Sequence, residues 1–147
     1  RGLLIGTDLI YKDWSTFTSF IKIRPDPPFE DTLAVRAGLE YGIPFGFEHW
    51  FLALKQIDLR FGYGFEPSPN PDLGSRYNIL DSDQHILSWG IGINMRFMDA
   101  AMFRVDGILQ IHYLEDRSTL NEADPKRGPY TIGGEVIHAG LEGRVDW

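Results

Sequence analysis

The chain has 147 residues, of which 43% are hydrophobic and 14% aromatic, and its net charge at pH 7 is −7. This composition is that of one folded domain and excludes a disordered or low-complexity chain. The mean hydropathy is −0.21, and no apolar run approaches the roughly 18 residues that a spanning helix needs, which excludes a helical membrane protein. The lack of a basic cluster argues against nucleic-acid binding. The lack of cysteine excludes disulfides and thiolate metal sites.

Alternation with a period of two residues predicts strands along most of the chain. It is strictest in ILSWGIGINMRF, residues 86–97, where Leu87, Trp89 and Ile91 fall on one face and Ser88 and Gly90 on the other. The pattern predicts an all-β antiparallel protein of about seven strands, at residues 2–13, 16–24, 31–43, 53–66, 84–97, 101–115 and 134–147.

The lengths of strands and loops indicate what covers the apolar faces. The predicted strands have about 10 to 14 residues, longer than the roughly 5 to 6 usual in globular proteins and long enough to cross a bilayer with tilt. DWS at 13–15 and MDA at 98–100 predict tight turns at one end, whereas 66–83 and 115–130 predict long loops at the other. Outer-membrane barrels combine short periplasmic turns with long external loops. We therefore expect a transmembrane barrel whose apolar face meets lipid in the bacterial outer membrane.

Aromatic residues gather towards the strand ends on the apolar faces. Two such rows are typical of the girdles at the two membrane–water interfaces, and the alternative explanation is that aromatic residues favour strands in general. The sequence predicts one row of Tyr11, Phe17, Tyr41, Phe97, Phe103 and Trp147, and a second row of Tyr63, Phe65 and Tyr113.

Four segments together resemble the C-terminal part of the FadL/TodX family of long-chain fatty acid transporters. LRFGYGFEPSPNPD at 59–72 and LDSDQHILSWGIGINMRF at 80–97 resemble the family's strand, proline-rich external loop, aspartate-rich hinge and following strand. DLIYKDWSTF at 8–17 resembles a strand and tryptophan-serine turn, and RGPYTIGGEVIHAGLEGRVDW at 127–147 resembles the closing hairpin. The resemblance implies a 14-stranded Gram-negative outer-membrane barrel with an N-terminal hatch, through which hydrophobic ligands pass passively and then leave sideways into the membrane.

By this resemblance, residues 1–147 are one partial domain, the C-terminal half of a barrel without its hatch and N-terminal strands. The start supports a fragment, because Arg1 leads directly into an alternating apolar run. An open sheet would leave unpaired backbone groups in hydrocarbon, each costing several kcal/mol. We therefore expect either the missing N-terminal half or another chain to complete the barrel.

Three classes of function are compatible with the sequence. The first is porin-like passive transport of hydrophobic molecules such as long-chain fatty acids across the outer membrane. The second is a structural or interaction half-barrel recruited into a cell-envelope complex, and the third is a soluble lipid-binding barrel. GIG at 90–92 lies within a predicted strand and the serines lack a nucleophile elbow, so we expect neither an enzyme nor a cofactor.

Basic residues are the candidate ligand contacts. Rows of mixed charge usually pair across strands inside a barrel, but an arginine can also hold a ligand carboxylate. Lys22 and Arg24 come first, because the resemblance places fatty acid binding near the external rim, and Arg36, Arg60 and Arg96 follow from their predicted inward direction.

No metal site is expected from the sequence. Asp81, Asp83 and His85 alternate as some calcium ligands do, but a solvated turn before a strand explains them better. His112 and His138 fall on the polar faces of neighbouring predicted strands, where a zinc site would need further ligands. We expect a lumenal hydrogen-bond network there instead.

Overall fold

The computed structural model describes residues 2–18, 22, 24, 28–70, 81–98, 100–119 and 130–147. These residues form one antiparallel sheet in which each strand pairs with the next along the chain. Among them, no helix is long and apolar enough to cross a membrane. The six strands are β1 (Gly2–Lys12), β2 (Thr32–His49), β3 (Leu52–Glu66), β4 (Gln84–Phe97), β5 (Ala101–Thr119) and β6 (Tyr130–Asp146).

Strand register separates the side chains into two faces. Odd-numbered residues pair with odd-numbered residues across the sheet, except beyond the bulges, where residues 47–49 pair with 52–54, 52–54 with 95–97, and 117–119 with 130–132. Since side chains alternate along a strand, the odd positions form one face and the even positions the other. The odd face, called the apolar face below, carries mostly aliphatic and aromatic residues, and the even face, called the polar face, carries glycine and charged residues. The predicted all-β alternation is therefore confirmed.

The apolar face is uncovered in the described part of the chain. Leu9 is 71% exposed, Ile5 69% and Leu141 82%, and the buried apolar side chains of the described residues are only Phe29, Ala34 and Ala53. A soluble sheet buries one face against a second layer. This sheet has no such layer among the described residues, so its apolar face lacks the protein core that alternation would otherwise indicate.

The sheet curves around its polar face. Residues from all six strands line a single recess of about 980 Å³ over that face, from Leu4 on β1 to Glu142 on β6. This is possible only if the polar face is concave. Among the described strands, β1 pairs only with β2 and β6 only with β5, so this six-stranded sheet is not closed.

The two ends of the sheet differ in their connections. Short turns join β2 to β3 and β4 to β5 at one end, called the turn end, where the Met98 amide donates a hydrogen bond to the Phe51 carbonyl at 3.2 Å. The strand ends at residues 12 and 32, 66 and 84, and 119 and 130 all lie at the other end, called the loop end. The predicted asymmetry is present, but DWS at 13–15 belongs to the loop end and not beside MDA.

The second predicted strand is wrong for the residues that can be described. Among 16–24, the structure describes 16–18, 22 and 24, and none belongs to a strand, while β1 pairs directly with β2. Local polar contacts compete with strand formation here: Asp13 accepts a hydrogen bond from the Thr16 hydroxyl at 3.1 Å. Phe17 packs on Phe29 at 5.6 Å between ring centroids instead of alternating along a strand.

Two strands extend beyond their predicted ends. β2 continues through Pro44, which pairs with Gln56, and on to His49 across a register shift between Pro44 and Phe47, and proline is tolerated within a sheet beside such a bulge. Trp50 and Phe51 then form the hairpin turn to β3. β5 continues to Thr119 after a second register shift between Leu114 and Arg117. Bulges interrupt alternation, so the pattern ends before the strand does.

Candidate ligand recess on the polar face

Glycines form the floor of the recess. Gly38, Gly62, Gly90 and Gly140 lie at even positions on four neighbouring or nearby strands and line it together. At Gly62 a Cβ would come within 2.4 Å of the Ser88 hydroxyl oxygen. The missing side chains therefore create the recess and let polar groups of adjacent strands approach the backbone.

Arg60 is the centre of a charge cluster beside this floor. Its Nε lies 2.6 Å from Glu40 Oε2 on β2, and its Nη1 lies 2.6 Å from Asp106 Oδ1 on β5. To reach β5 from β3 the side chain crosses β4 over Gly90 and Gly92. A Cβ at Gly92 would lie 2.7 Å from Asp106 Oδ1, so glycine is required where the guanidinium crosses.

Asp58 is the most buried large side chain described, with 1% of its surface exposed. Asn94 Nδ2 donates a hydrogen bond to it at 3.0 Å and Gln56 donates another. The guanidinium groups of Arg60 and Arg104 lie 3.8 Å and 3.7 Å away. Burying a carboxylate is costly unless hydrogen-bond donors and cations replace its lost water, and Asp58 has both.

Arg104 completes the cluster by binding Asp106, with Nε 2.6 Å from Oδ2. Three carboxylates, of Glu40, Asp58 and Asp106, thus face two guanidinium groups. A ligand carboxylate would have to displace an internal one from either arginine. The cluster is therefore built to stiffen the sheet wall rather than to bind an anion.

The five sequence-predicted binding residues do not meet in one place. Arg36 and Arg60 line the recess. Arg96 lies on β4 near the turn end, 3.9 Å from Glu48, and does not line it. Lys22 and Arg24 lie in the β1–β2 connection, where Arg24 donates a hydrogen bond to a backbone carbonyl.

Arg36 differs from Arg60 in its surroundings. It pairs with Glu66, which also binds the Lys12 ammonium group at 3.1 Å. Its side chain is 49% exposed, against 29% for Arg60. It also lines a continuation of the recess of about 340 Å³ that reaches His112. Arg36 is therefore easier for a solute to reach than Arg60, and of the basic residues lining the recess Arg144 on β6 is more exposed still, at 69%.

The histidines and acidic residues singled out in the sequence have separate partners. Asp83 accepts a hydrogen bond from the Ser68 amide at 2.7 Å, and Asp81 accepts one from the Ser68 hydroxyl at 3.1 Å. His85 lies instead on the apolar face, bonded to the Tyr63 hydroxyl at 2.8 Å. Across the residues that the structure describes, no group of three or more His, Cys, Asp and Glu side chains is arranged for a metal ion.

His112 and His138 do meet on the polar face, with ring centroids 4.9 Å apart in an edge-to-face arrangement. Their contact is between rings, and the hydrogen bond of His112 Nδ1 goes to Gln84 at 2.8 Å. The predicted proximity of the two histidines is confirmed, and His112 is also hydrogen-bonded across the polar face to β4.

The loop end carries an exposed acidic group with a shifted pKa. The Tyr11 hydroxyl donates to Asp31 Oδ2 at 2.6 Å, and the Ser15 amide donates to Oδ1 at 2.7 Å. The hydrogen bond from Tyr11, followed by the one from Ser15, holds the pKa of Asp31 below its usual value. These bonds fasten both ends of the β1–β2 connection to each other.

Aromatic rings form a continuous row at each end of the apolar face. At the turn end, Phe51 contacts Phe97 at 6.4 Å and Phe97 contacts Phe103 at 6.2 Å between centroids. At the loop end, His85 lies 5.0 Å from Phe65 and 6.4 Å from Tyr113. In each row, aromatic rings from neighbouring strands therefore contact one another.

The predicted membership of these rows is partly wrong. Tyr11 pairs with Leu33 and lies at the loop end, not with Phe97 at the turn end. Tyr41 pairs with Leu59 in the middle of the sheet, and Phe17 lies in the β1–β2 connection. The errors at Tyr11 and Phe17 arise because residues 16–24 were counted as a strand, which reversed the direction assigned to the first strand. The error at Tyr41 arises because β2 continues to His49 beyond its predicted end at 43.

Compared with known proteins, the chain matches no family model, no curated protein and no solved structure. The argument for its function therefore depends on its two faces and on the recess. Sequence patterns did not single out Asp58, Arg104 and Asp106 as a cluster, because their proximity depends on the register of four strands. The alternation of glycine with charged residues in β3 and β4 was the available signal.

Proposed function

We propose that this sheet is part of an outer-membrane β-barrel through which hydrophobic molecules, such as long-chain fatty acids, pass without energy input. The observation that carries the proposal is the uncovered apolar face of a curved sheet whose concave face is polar. In water this arrangement would expose large aliphatic side chains at a high cost. In a bilayer the same apolar face contacts lipid hydrocarbon and its exposure carries no such cost.

The spacing of the two aromatic rows supports a bilayer. His85 and Phe97 are twelve residues apart on β4, which is about 40 Å along a strand. With the tilt of about 40° usual in outer-membrane barrels, the vertical separation is about 30 Å. This is close to the thickness of the hydrocarbon core, so each row falls near one membrane–water interface.

The recess supports passage of a solute along the concave face. It combines exposed apolar side chains, Leu4 and Ile108, with charged groups fixed in ion pairs. Arg60 and its carboxylates keep the wall rigid, and Arg36, which is more exposed, is the residue we assign to transient contact with a polar head group. Such a surface suits an amphiphile that binds weakly and dissociates readily.

Fractionation and transport together test this function. We expect the protein in the outer-membrane fraction of Gram-negative cells, released by detergent but not by salt or urea. We also expect reconstituted vesicles to pass a fluorescent long-chain fatty acid to an enclosed binding protein faster than protein-free vesicles. Arg36→Gln should change the rate of fatty acid passage. The control Lys55→Gln should leave that rate unchanged, because Lys55 lies on β3 at the turn end and pairs with Glu48. Recovery in the soluble fraction without detergent would contradict the proposal.

The open edges of the sheet favour a second candidate, a structural half-barrel within a cell-envelope complex. Among the described strands, β1 and β6 each have a neighbour on one side only, and backbone groups on an open edge can pair with another protein's strands. The transport assay separates the two functions. Membrane insertion without any passage of fatty acid would favour the structural role.

A further inference from the structure

His112 on β5 and His138 on β6 form a pair on the polar face, separate from the Arg60 cluster. In the register His112 lies opposite Val136, and His138 lies opposite Gln110. The two histidines are therefore diagonal neighbours on adjacent strands, close enough for long side chains to meet. Their ring centroids are 4.9 Å apart, with an angle of 67° between the ring planes.

The separation of the two rings is that of two imidazoles bound to one metal ion. Metal–nitrogen bonds of about 2.0–2.1 Å place each ring centroid about 3.2 Å from the ion, so two centroids are about 4.5 Å apart at a right angle and about 5.2 Å apart at a tetrahedral angle. The observed 4.9 Å falls between these values. Rotation about χ2, which is broadly distributed in histidine, turns the nitrogens of a ring while its centroid stays nearly in place. Both rings can therefore direct a nitrogen to a common point without a change in the backbone.

Gln84 on β4 supplies the hydrogen bond that a metal-binding histidine needs. Its side-chain amide lies 2.8 Å from Nδ1 of His112. When an amide presents its oxygen to this atom, Nδ1 keeps the proton and the lone pair of Nε2 is available to a metal. Metal-bound histidines almost always have such a hydrogen bond on the other ring nitrogen, because it fixes the tautomer and the orientation of the ring.

The space around the pair has room for water ligands. His138 is exposed, and His112 borders the continuation of the recess of about 340 Å³. Within the described parts of the chain, no third His, Cys, Asp or Glu side chain completes a metal site with them, so water fills the remaining coordination positions. Arg36 lines the same continuation, but its strand lies three strands from β5, roughly 14 Å along the sheet, and Glu66 pairs with its charge. Its repulsion of a bound cation is therefore weak.

We infer that the polar face binds one divalent transition-metal ion between His112 and His138, with water completing the coordination and Gln84 orienting His112. Imidazole is a ligand of Cu²⁺, Ni²⁺ and Zn²⁺, of which Cu²⁺ binds most tightly to a given nitrogen site. The ion joins β5 to β6, so its binding stabilises the folded sheet. The site needs only the register of β4, β5 and β6, and it therefore depends neither on the membrane location nor on transport.

Copper titration of the purified full chain, prepared without a histidine tag, tests the site. We expect one Cu²⁺ per chain and binding about 100-fold weaker for His112→Gln and for His138→Gln, because each variant loses one of the two ligands of a chelate. The matched controls His49→Gln and His85→Gln remove the other two histidines of the chain and should bind Cu²⁺ as the unchanged chain does. Electron paramagnetic resonance of the bound ion should show two imidazole nitrogens.

Denaturant titration gives a second readout and verifies that the variants fold. Without metal, all four variants should unfold at midpoints close to that of the unchanged chain. Added Cu²⁺ should raise the midpoint of the unchanged chain and of both controls, but not that of His112→Gln or His138→Gln. Copper binding that survives either substitution would overturn the inference. A resonance spectrum of the unchanged chain with fewer than two imidazole nitrogens would overturn it whatever the variants do, and none of these results bears on the passage of fatty acids.

Discussion

Ile91 offers the sharpest distinction between lipid and a protein core. It lies on the apolar face, six residues from His85 and six from Phe97 in the two aromatic rows. Six residues rise about 20 Å along a strand, or about 15 Å vertically at the usual tilt. Ile91 is therefore at the expected midplane of the bilayer, and 46% of its surface is exposed to whatever covers the face. An arginine at that depth costs roughly 2 to 4 kcal/mol.

The matched variant is Ser88→Arg, on the same strand but on the polar face. We expect Ile91→Arg to lower the free energy of unfolding by most of this 2 to 4 kcal/mol. Ser88→Arg should lower it far less, because water at the concave face solvates the charge. The free energy of unfolding would be measured by denaturant titration of protein folded in liposomes. Equal losses for the two variants would refute the assignment of the faces.

Ile91→Trp then separates lipid from a packed core. The register partner of Ile91 on β5 is Gly107, so a larger ring has space on the apolar face. Against lipid we expect a change within about 1 kcal/mol, whereas overfilling a close-packed core costs roughly 1 to 3 kcal/mol. A loss for tryptophan as large as that for arginine would show that position 91 packs against protein.

Four further results follow from the recess and the loop end. Gly92→Ala should destabilise by roughly 1 to 3 kcal/mol in denaturant titration, because its Cβ meets Asp106, whereas Gly6→Ala, with open space around it, should change stability little. Arg60→Gln should lower the free energy of unfolding by roughly 1 to 3 kcal/mol, because Glu40 and Asp106 lose their shared cation. Arg36→Gln should lower it by less than about 1 kcal/mol, because the Arg36 side chain is half exposed. A larger loss for Arg36→Gln than for Arg60→Gln would contradict the assigned roles. Because the pKa of Asp31 is lowered in the folded protein, its contribution to stability is complete above the unfolded pKa and is lost as the pH falls through the lower folded value. Melting curves between pH 6 and 3 should therefore show less acid sensitivity for Asp31→Asn than for the unchanged chain, and identical curves would contradict this. Protease added to intact cells should cut the loop-end connections 13–31, 67–83 and 120–129, and cleavage confined to 98–100 would reverse the orientation.

Where the strands are regular, alternation in the sequence correctly predicted on which face of the sheet each side chain lies. In β4 it placed Trp89 and Ile91 opposite Ser88 and Gly90, as the register has them. This works because the period of a strand is a local property of the backbone. A single bulge is enough to break the prediction, as at Pro44, where β2 continues but the alternation stops.

Two features of the molecule depend on contacts far apart in the sequence and were not predictable from alternation. The described residues 15–18 begin a strand-like pattern but lie outside the sheet, where Asp13 and Asp31 bind their polar groups and Phe17 contacts Phe29. The Arg60 cluster joins residues up to 46 positions apart. Register between strands, which brings such residues together, is set by turns and bulges that the alternation does not encode.

Contact between the apolar face and lipid chains is the central claim, and fluorescence quenching tests it most directly. Trp89 lies on that face, two residues from Ile91, and is 37% exposed. Replacing Trp14, Trp50 and Trp147 by phenylalanine would leave it as the single tryptophan. In vesicles of lipids brominated at different depths, we predict strong quenching of Trp89 that is greatest for bromines near the chain ends. Emission unchanged by bromination at any depth would contradict the account, because the face would then be covered by protein or water.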